Sequence, residues 1–322
     1  MRPKEPPASA GCLAAATPAA GGLPSFVLYG LMALHVGFAS ATYILGQAAA
    51  VGFADPEVLT LLRALGAAVL LLALTGTAIP RPRFGPRDWG YLVGLGVLLV
   101  PLNQYCFLRG LQYTVPSHPA LLYALTPLVV LILDSLRLQR RPPRTKMAGV
   151  LLALAGVVLI LRPWEQGAAF ERIRTGDFWI LGAVLSWSFY TIAARAVCQR
   201  HDPRVVTAWS LIIGALLMLP IAGPDLARLP VEQIPARAWL SLAWLAVISS
   251  VVMMLLWNRL LQALRSVEVA ICTNAQPPAT ALLTAALAGL GWLDRQQDLG
   301  MLFFSGMALV LVGVVVAQFR RA

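Results

Sequence analysis

The residues of this 322-residue chain that are best suited to chemistry are polar and aromatic side chains within long apolar runs. Such side chains can hydrogen-bond to a small organic molecule and stack on it. Polar groups are costly inside hydrocarbon, which makes each of them a candidate for function. The candidate substrate-binding residues are His35, Tyr43, Asn103, Gln104, His118, Tyr123, Trp187, Tyr190, Asn274 and Gln276.

Each candidate also has a structural interpretation. Histidine, amide and hydroxyl groups hydrogen-bond between neighbouring membrane helices and pack them together. Pro127 and Pro277, which accompany two of the polar stretches, each leave a backbone carbonyl without its donor. Such a carbonyl is tolerated in a membrane only where protein or a watery cavity covers it. The sequence therefore leaves two interpretations open for these residues, a cavity lining and a packing contact.

Arg63 is a basic residue inside an apolar run, near the start of that run. An arginine in this position ordinarily extends back to the membrane surface or pairs with a carboxylate, here Asp55 or Glu57. The alternative is contact with an anionic group of a substrate, such as a carboxylate. Arg63 is therefore a candidate for anion contact.

No set of catalytic groups accompanies these residues in the sequence. The three histidines are scattered, no paired-aspartate motif for diphosphate and Mg²⁺ is present, and the four cysteines have neither paired nor metal-ligand spacing. We therefore predict no catalytic residue, no metal site and no cofactor. An integral membrane enzyme acting on lipid-linked substrates remains the less favoured alternative, and the protein is predicted not to be an enzyme.

The elements that position the candidates are membrane-spanning helices. The chain is 59% hydrophobic and 12% charged, with a mean hydropathy of +0.75, whereas about a quarter of the residues of a soluble domain are charged. This composition excludes a soluble enzyme, a disordered chain and a secreted disulfide scaffold. It predicts an all-α polytopic membrane protein in contact with lipid.

Ten apolar runs approach the length of about 20 residues that a membrane-crossing helix needs. They cover residues 24–47, 57–79, 88–108, 117–136, 146–161, 176–198, 204–221, 236–258, 266–290 and 298–319. Proline, glycine and arginine punctuate the gaps, for example at Gly223-Pro224. The sequence thus predicts ten transmembrane helices.

The distribution of basic residues predicts the orientation of these helices. Both termini and alternate loops together hold 17 of the 25 Lys and Arg residues, and the opposite loops hold 7. Cytoplasmic loops carry the basic excess, so both termini are predicted to be cytoplasmic, in a bacterial inner (plasma) membrane. This placement explains the net charge of +11 without nucleic acid as a partner. Residues 1–22, rich in Ala, Pro and Gly, are predicted to form a disordered cytoplasmic tail.

Two halves of the chain look alike. The matching elements are Asp55-Pro56 with Asp202-Pro203, Arg109-x-Leu111-Gln112 with Arg259-x-Leu261-Gln262, and the pair Gly149 and Gly156 with Gly306 and Gly313. Each half contains five predicted spans, an odd number, so the second half crosses the membrane upside down. We therefore predict two inverted five-helix repeats, residues 23–162 and 175–319, an architecture typical of transporters.

The sequence resembles the EamA-type members of the drug/metabolite transporter superfamily. The motifs that carry the resemblance are Leu62-Arg63-Ala64, Phe107-x-x-x-Leu111-x-Tyr113, Ala120-x-x-x-x-x-Thr126-Pro127, Leu138-Gln139-Arg140, Gly149-x-x-Leu152-x-x-x-Gly156-Val157, Trp187-Ser188-Phe189-Tyr190 and the Pro277 region. The resemblance implies a ten-helix carrier of small metabolites, often one that exports amino acids or related compounds.

These observations together predict a secondary transporter. We expect an exporter of small organic metabolites such as amino acids that works by alternating access between the two repeats. The alternative within transport is a broad-specificity drug efflux carrier, which the many aromatic and small residues favour. The expected partners are a small-molecule substrate and membrane lipid, and a homodimer is left open.

Overall fold

The computed structural model describes residues 24–75, 84–137, 139, 144–161, 164, 167–289 and 301–318, and helices account for most of them. No β-strand occurs within these ranges. The predicted tail, residues 1–22, lies outside the described residues, as do the ends of the predicted spans at residues 76–79, 290, 298–300 and 319.

We label the helical rods α1 to α10 in chain order. They are α1 Ser25–Phe53, α2 Pro56–Thr75, α3 Pro86–Leu111, α4 Ser117–Arg137, α5 Arg144–Leu161, α6 Ala168–Cys198, α7 Pro203–Leu226, α8 Ala236–Ala263, α9 residues 266–289 and α10 Met301–Gln318. In the described part of the chain, seven rods (α1 to α4 and α6 to α8) are long and apolar enough to cross a membrane. Shorter apolar stretches, Met147–Leu159 and Met301–Gly313, lie in α5 and α10. The prediction of an all-helical polytopic membrane protein is confirmed.

The two Asp-Pro pairs begin α2 and α7. The backbone N–H of Val58 donates to Asp55 Oδ1 over 3.0 Å, and that of Arg204 donates to Asp202 Oδ1 over 2.8 Å. A carboxylate at this position satisfies one of the free N–H groups of a first turn. The proline that follows has no N–H to lose and already holds the helical φ angle. The same local chemistry therefore starts a helix in each half of the chain.

Two long helices contain a π-helical segment, Leu98–Gln104 in α3 and Leu245–Val252 in α8. The first contains Pro101, which cannot donate the backbone hydrogen bond that an α-helix requires. The second contains the adjacent hydroxyls of Ser249 and Ser250. Segments of this kind change the direction in which side chains leave a helix, and they are frequent at functional sites.

Proline also accompanies the interruptions of α4 and α9. A turn at residues 124–125 divides α4, and a 3₁₀ segment, Cys272–Ala275, divides α9. Pro127 and Pro277 are each the second residue of the α-helical segment that follows. There the missing N–H has no helical acceptor in any case, so the prolines cost little.

The bounds of several helices differ from the sequence prediction: α1 continues to Phe53 instead of residue 47, α8 continues to Ala263 instead of residue 258, and α6 and α7 are also longer than predicted. Helix α6 begins at Ala168 instead of residue 176, because the intervening stretch, although charged, is rich in the good helix formers Ala, Glu and Arg. Helix α7 was predicted to end before Gly223-Pro224, yet it continues to Leu226. A proline so close to the end of a helix removes only one backbone hydrogen bond, so the helix can extend two residues past it.

The glycines that recur with a spacing of seven residues pack α5 against α10. A Cβ atom on Gly156 would lie 2.7 Å from the carbonyl oxygen of Gly306. A Cβ atom on Gly313 would lie 2.6 Å from the carbonyl oxygen of Gly149. Small residues at helix contacts let two backbones approach closely inside a membrane, where van der Waals packing holds helices together. The repeated glycines therefore have a packing role.

Candidate functional site

A cavity of about 70 Å³ lies between helices from both halves of the chain. Its lining comes from α1 to α4 and from α6, α8 and α9. The lining residues are His35, Ala39, Thr42, Tyr43, Arg63, Leu99, Asn103, Gln104, Phe107, Tyr123, Trp187, Ser249, Met253, Met254, Thr273 and Gln276.

Most of the sequence candidates meet at this cavity. Those that line it are His35, Tyr43, Arg63, Asn103, Gln104, Tyr123, Trp187 and Gln276. His118, Tyr190 and Asn274 lie outside its lining. Because the lining residues come from positions 35 to 276, the cavity is a product of tertiary structure.

Arg63 does not have the carboxylate partner that the packing interpretation expects. Its Nε donates to Ser250 Oγ and its Nη2 to Ser249 Oγ, each over 2.8 Å. The two carboxylates considered for it are engaged elsewhere: Asp55 caps α2, and Glu57 accepts a hydrogen bond from Tyr105 over 2.7 Å. The expectation of an Asp55 or Glu57 partner is therefore wrong. Asp55 precedes α2 and Glu57 lies in its first turn, whereas Arg63 extends to the π-helical segment of α8.

Two hydrogen bonds across the cavity connect the halves of the chain. The Tyr43 hydroxyl on α1 donates to Gln276 Oε1 on α9 over 2.6 Å. Asn103 Nδ2 on α3 donates to the carbonyl oxygen of Ala183 on α6 and to the Tyr123 hydroxyl, each over 2.9 Å. These bonds hold the polar wall in one geometry, which lowers the entropic cost of binding a ligand.

Three polar atoms at the cavity have no hydrogen-bond partner among the described residues. They are Nδ1 of His35, Oε1 of Gln104 and Nη1 of Arg63. All three side chains are at most 5% exposed. An unpaired buried polar atom costs roughly 1–3 kcal/mol. A ligand that supplies the missing partners would recover that free energy, so these atoms mark where a polar substrate can bind.

Most of the rest of the cavity wall is aromatic and apolar. The Phe107 ring lies 6.0 Å from that of Tyr43 and 6.1 Å from that of Tyr123, measured between centroids. Trp187 closes another side, stacked on Tyr190 at 5.4 Å with an interplanar angle of 10°. Met253 and Met254 add flexible thioethers, which adapt to ligands of different shape. The site can therefore enclose an apolar body while a few polar atoms orient it.

His118 belongs to a separate polar cluster that also connects the two halves. Its Nδ1 lies 2.8 Å from Asp177 Oδ2, and the Thr114 hydroxyl donates to Asp177 Oδ1 over 2.7 Å. The His118 ring stacks on Phe303 of α10 at 5.3 Å. Asp177 is completely buried. The cluster is a closed contact between α4, α6 and α10, and it satisfies both carboxylate oxygens.

Tyr190 and Asn274 also lie apart from the cavity lining. Tyr190 is fully buried and shares two hydrogen bonds with Asn258, which also donates to Thr207. Asn274 lies in the 3₁₀ segment of α9, is half-buried, and its Oδ1 has no partner in the described structure. Neither residue contributes to the lining.

The sequence candidates omitted several residues that the structure places at these sites. Ser249 and Ser250 hold Arg63, Met253 and Met254 line the cavity, and Asp177 binds His118. Two adjacent serines inside an apolar run are a usable sequence signal, since hydroxyls there need partners. The methionines carry no such signal, because a Met in an apolar run is indistinguishable from ordinary core.

Metal-ligand geometry is absent from the described residues, where no group of three or more His, Cys, Asp or Glu side chains is placed to hold an ion. Among the cysteines that the structure describes, Cys106, Cys198 and Cys272 are free thiols. Cys12 lies outside the described residues.

Comparison with known proteins places the sequence among transporters. Residues 27–162 and again residues 174–318 match the sequence model of the EamA-like transporter family. An uncharacterized transporter of Bacillus subtilis, YyaM, is 26% identical over 288 residues, which are 87% of this chain and 90% of that protein. An uncharacterized transporter of Archaeoglobus fulgidus is 25% identical over 228 residues, or 71% and 78% of the two chains. A solved crystal structure matches with a TM-score of 0.58 at 18% identity, covering 89% of this chain and 98% of the other, which shows a common fold.

Proposed function

The chain belongs to the EamA-like transporter family and is a membrane transporter, and we propose that it exports small organic metabolites such as amino acids. The observation that carries this proposal is the cavity, whose buried polar atoms lack partners while aromatic and thioether groups form its walls. A cavity of this composition suits a molecule with a few polar groups on an apolar body.

The proposed mechanism is alternating access between two inverted repeats, residues 23–162 and 175–319, in a membrane crossed ten times. Three findings support it: the family model matches each half separately, cavity residues come from both halves, and the hydrogen bonds of Tyr43 and Asn103 join the halves at the cavity. Opening one side requires the halves to move apart at a contact such as His118–Asp177. Binding sites between repeats are typical of such carriers.

The proposed location is the bacterial inner membrane, with both termini in the cytoplasm, as the distribution of basic residues favours. Gln233 and Gln139 are then on opposite sides, and both are exposed. In a cysteine-free background, Gln233→Cys should react with an impermeant maleimide added to intact cells, and Gln139→Cys should react only after lysis. The reverse pattern would overturn the orientation.

The direct test of the proposed function is a comparison of metabolites in medium and cytosol between cells with and without the protein. Ala39→Phe fills the cavity from α1, whereas Leu34→Phe adds the same ring on an exposed position of that helix. We expect metabolites to accumulate in the medium with the parent protein and with Leu34→Phe, and no accumulation with Ala39→Phe. Equal accumulation in all three would contradict export through this cavity.

A second candidate, broad drug efflux, is favoured by one observation, the aromatic and methionine wall. Such a wall accommodates bulky amphipathic compounds of varied shape. Resistance of cells to a panel of lipophilic drugs distinguishes this candidate. Increased resistance to chemically unrelated drugs would favour it over metabolite export.

A further inference from the structure

The Arg63 side chain is a buried cation whose charge has no neutralising partner among the described residues. It is 5% exposed, and both of its hydrogen-bond acceptors are neutral hydroxyls, those of Ser249 and Ser250. Its Nη1 has no partner in the described structure. A guanidinium stays protonated in proteins, and an isolated charge in an apolar environment is costly. The described residues therefore leave this charge without a counter-ion.

The described lining of the cavity supplies no such anion, since none of its residues is an Asp or a Glu. On α2 the preceding acidic residue is Glu57, six positions earlier, or about 9 Å along the helix axis. Glu57 accepts a hydrogen bond from Tyr105 and takes no part in the cavity. The two serine hydroxyls orient the guanidinium from the α8 side, and Nη1 is left for a ligand.

The other groups around the cavity determine what else the ligand carries. The unpaired atoms of His35 and Gln104 offer neutral contacts, and the rest of the described lining consists of uncharged hydroxyl, amide, aromatic and apolar groups. A zwitterion would bring an ammonium group that finds no carboxylate in the described lining. A ligand with a single negative charge neutralises Arg63 and leaves no second charge to desolvate.

We infer that the cavity binds a small organic monoanion, with its carboxylate or an equivalent singly charged oxyanion on Arg63 and its apolar body against Phe107 and Trp187. This inference rests on the proposed carrier function and specifies the charge of its substrate. It narrows the proposed small organic metabolites to acids without a compensating ammonium group, and it thereby excludes the amino acids that the broader proposal gives as an example.

The charge of the substrate has a consequence for the driving force. Moving a monoanion past a fixed arginine transfers net negative charge across the membrane. A cell interior that is electrically negative drives that anion outward, and for one charge about 59 mV corresponds to a tenfold concentration ratio. Export of a monoanion therefore needs no coupling ion.

The test uses three probes that share a phenyl group and differ in charge. They are 2-phenylethanesulfonate, an anion, L-phenylalanine, a zwitterion, and 2-phenylethyltrimethylammonium, a cation. All remain charged near neutral pH, so they cross lipid slowly without a carrier. Vesicles that contain the full-length protein are loaded with each probe, and efflux is compared with that from protein-free vesicles. We expect the sulfonate to leave about tenfold faster than either other probe, equivalent to one unit in log K.

The membrane potential and two variants sharpen the test. A potassium diffusion potential, negative inside, should accelerate efflux of the sulfonate and leave that of phenylalanine unchanged. Arg63→Gln should lower sulfonate efflux about tenfold. Arg63→Lys keeps the charge and should retain the preference for the anion, which controls for a folding defect in the glutamine variant.

The outcomes separate this inference from the proposed function. Efflux of phenylalanine or the cation as fast as that of the sulfonate would overturn the monoanion assignment and leave the carrier function standing. Efflux of none of the probes would also overturn the assignment of this cavity to organic anions. The metabolite comparison with Ala39→Phe then decides separately whether the protein exports through the cavity.

Discussion

Two tyrosine–asparagine pairs in this protein have the same chemistry and different surroundings. Asn103 donates to the Tyr123 hydroxyl over 2.9 Å, and Asn258 donates to the Tyr190 hydroxyl over 2.9 Å. The first pair lines the cavity, and its residues are 8% and 9% exposed. The second pair is fully buried, with both residues at 0%.

The two pairs differ because the second pair makes additional hydrogen bonds. Asn258 also donates to Thr207 Oγ1 over 2.8 Å, and the Tyr190 hydroxyl donates back to Asn258 Oδ1 over 3.2 Å. The Tyr123 hydroxyl only accepts among the described residues, so its proton remains available at the cavity. A polar pair that satisfies itself stabilises the helix bundle, whereas a pair with a free donor beside a cavity can bind a substrate.

The largest expected effect on stability comes from Asn258→Ala. The change leaves the hydroxyls of Tyr190 and Thr207 without their shared partner in a dry environment, at a cost of roughly 1–3 kcal/mol. Unfolding of the purified protein can be followed on heating by the reaction of buried thiols such as Cys198 with a fluorogenic maleimide. We expect a clear fall in Tm with little change in the KM for transport. An unchanged Tm would contradict the structural role of this pair.

Asn103→Ala should have the opposite effect to Asn258→Ala: transport should fall while the stability of the protein changes little. Asn103 connects α3 with the Ala183 carbonyl and orients Tyr123 at the cavity wall, so its loss disturbs the site more than the bundle. We expect transport in reconstituted vesicles to fall about tenfold, corresponding to ~1.4 kcal/mol, with protein yield unchanged. Asn258→Ala is the matched control, because it makes the same substitution in the fully buried Asn258–Tyr190 pair. Normal flux in Asn103→Ala would remove this residue from the pathway.

His35→Ala tests whether the His35 ring contacts the substrate in addition to the Asn103–Tyr123 pair. The ring is 3% exposed, its Nδ1 has no partner in the described structure, and its centroid lies 5.0 Å from that of Trp257. We expect transport to fall several-fold at constant protein yield, because a ligand loses one polar contact worth about 1 kcal/mol. A fall in yield together with unchanged flux per molecule would instead assign the residue to packing.

The smallest effects should come from the two tyrosine hydroxyls alone. Tyr190→Phe should lower Tm slightly, at a cost of about 1 kcal/mol, because Asn258 keeps its bond to Thr207. Tyr123→Phe should leave Tm nearly unchanged, because Asn103 keeps its bond to Ala183, and should weaken substrate binding. Measuring Tm and KM for both variants tests the comparison directly. Equal shifts of Tm would show that the two pairs do not differ in role.

Most of the residues that the sequence predicts to bind substrate line the cavity, and the prediction failed at the others for physical reasons. Trp187 and Tyr190 are three residues apart on one helix, and both were selected, yet Trp187 lines the cavity while Tyr190 is sealed behind it. His118 was selected for its histidine chemistry, and Asp177 of a distant helix satisfies it. Partners that are 59 or more positions away in the chain leave no mark on local spacing.

The apolar runs, the Asp-Pro helix starts and the repeated glycines were sufficient to predict a polytopic helical membrane protein, since hydrophobicity and helix-start chemistry act locally along the chain. The role of each polar residue, by contrast, depends on partners that are distant in the sequence. Arg63 bonds to serines 186 and 187 positions away, and Tyr190 and Tyr123 differ only in the groups that surround them. Whether a buried polar atom is satisfied depends on which helices pack beside it, so only the assembled bundle separates binding residues from packing residues.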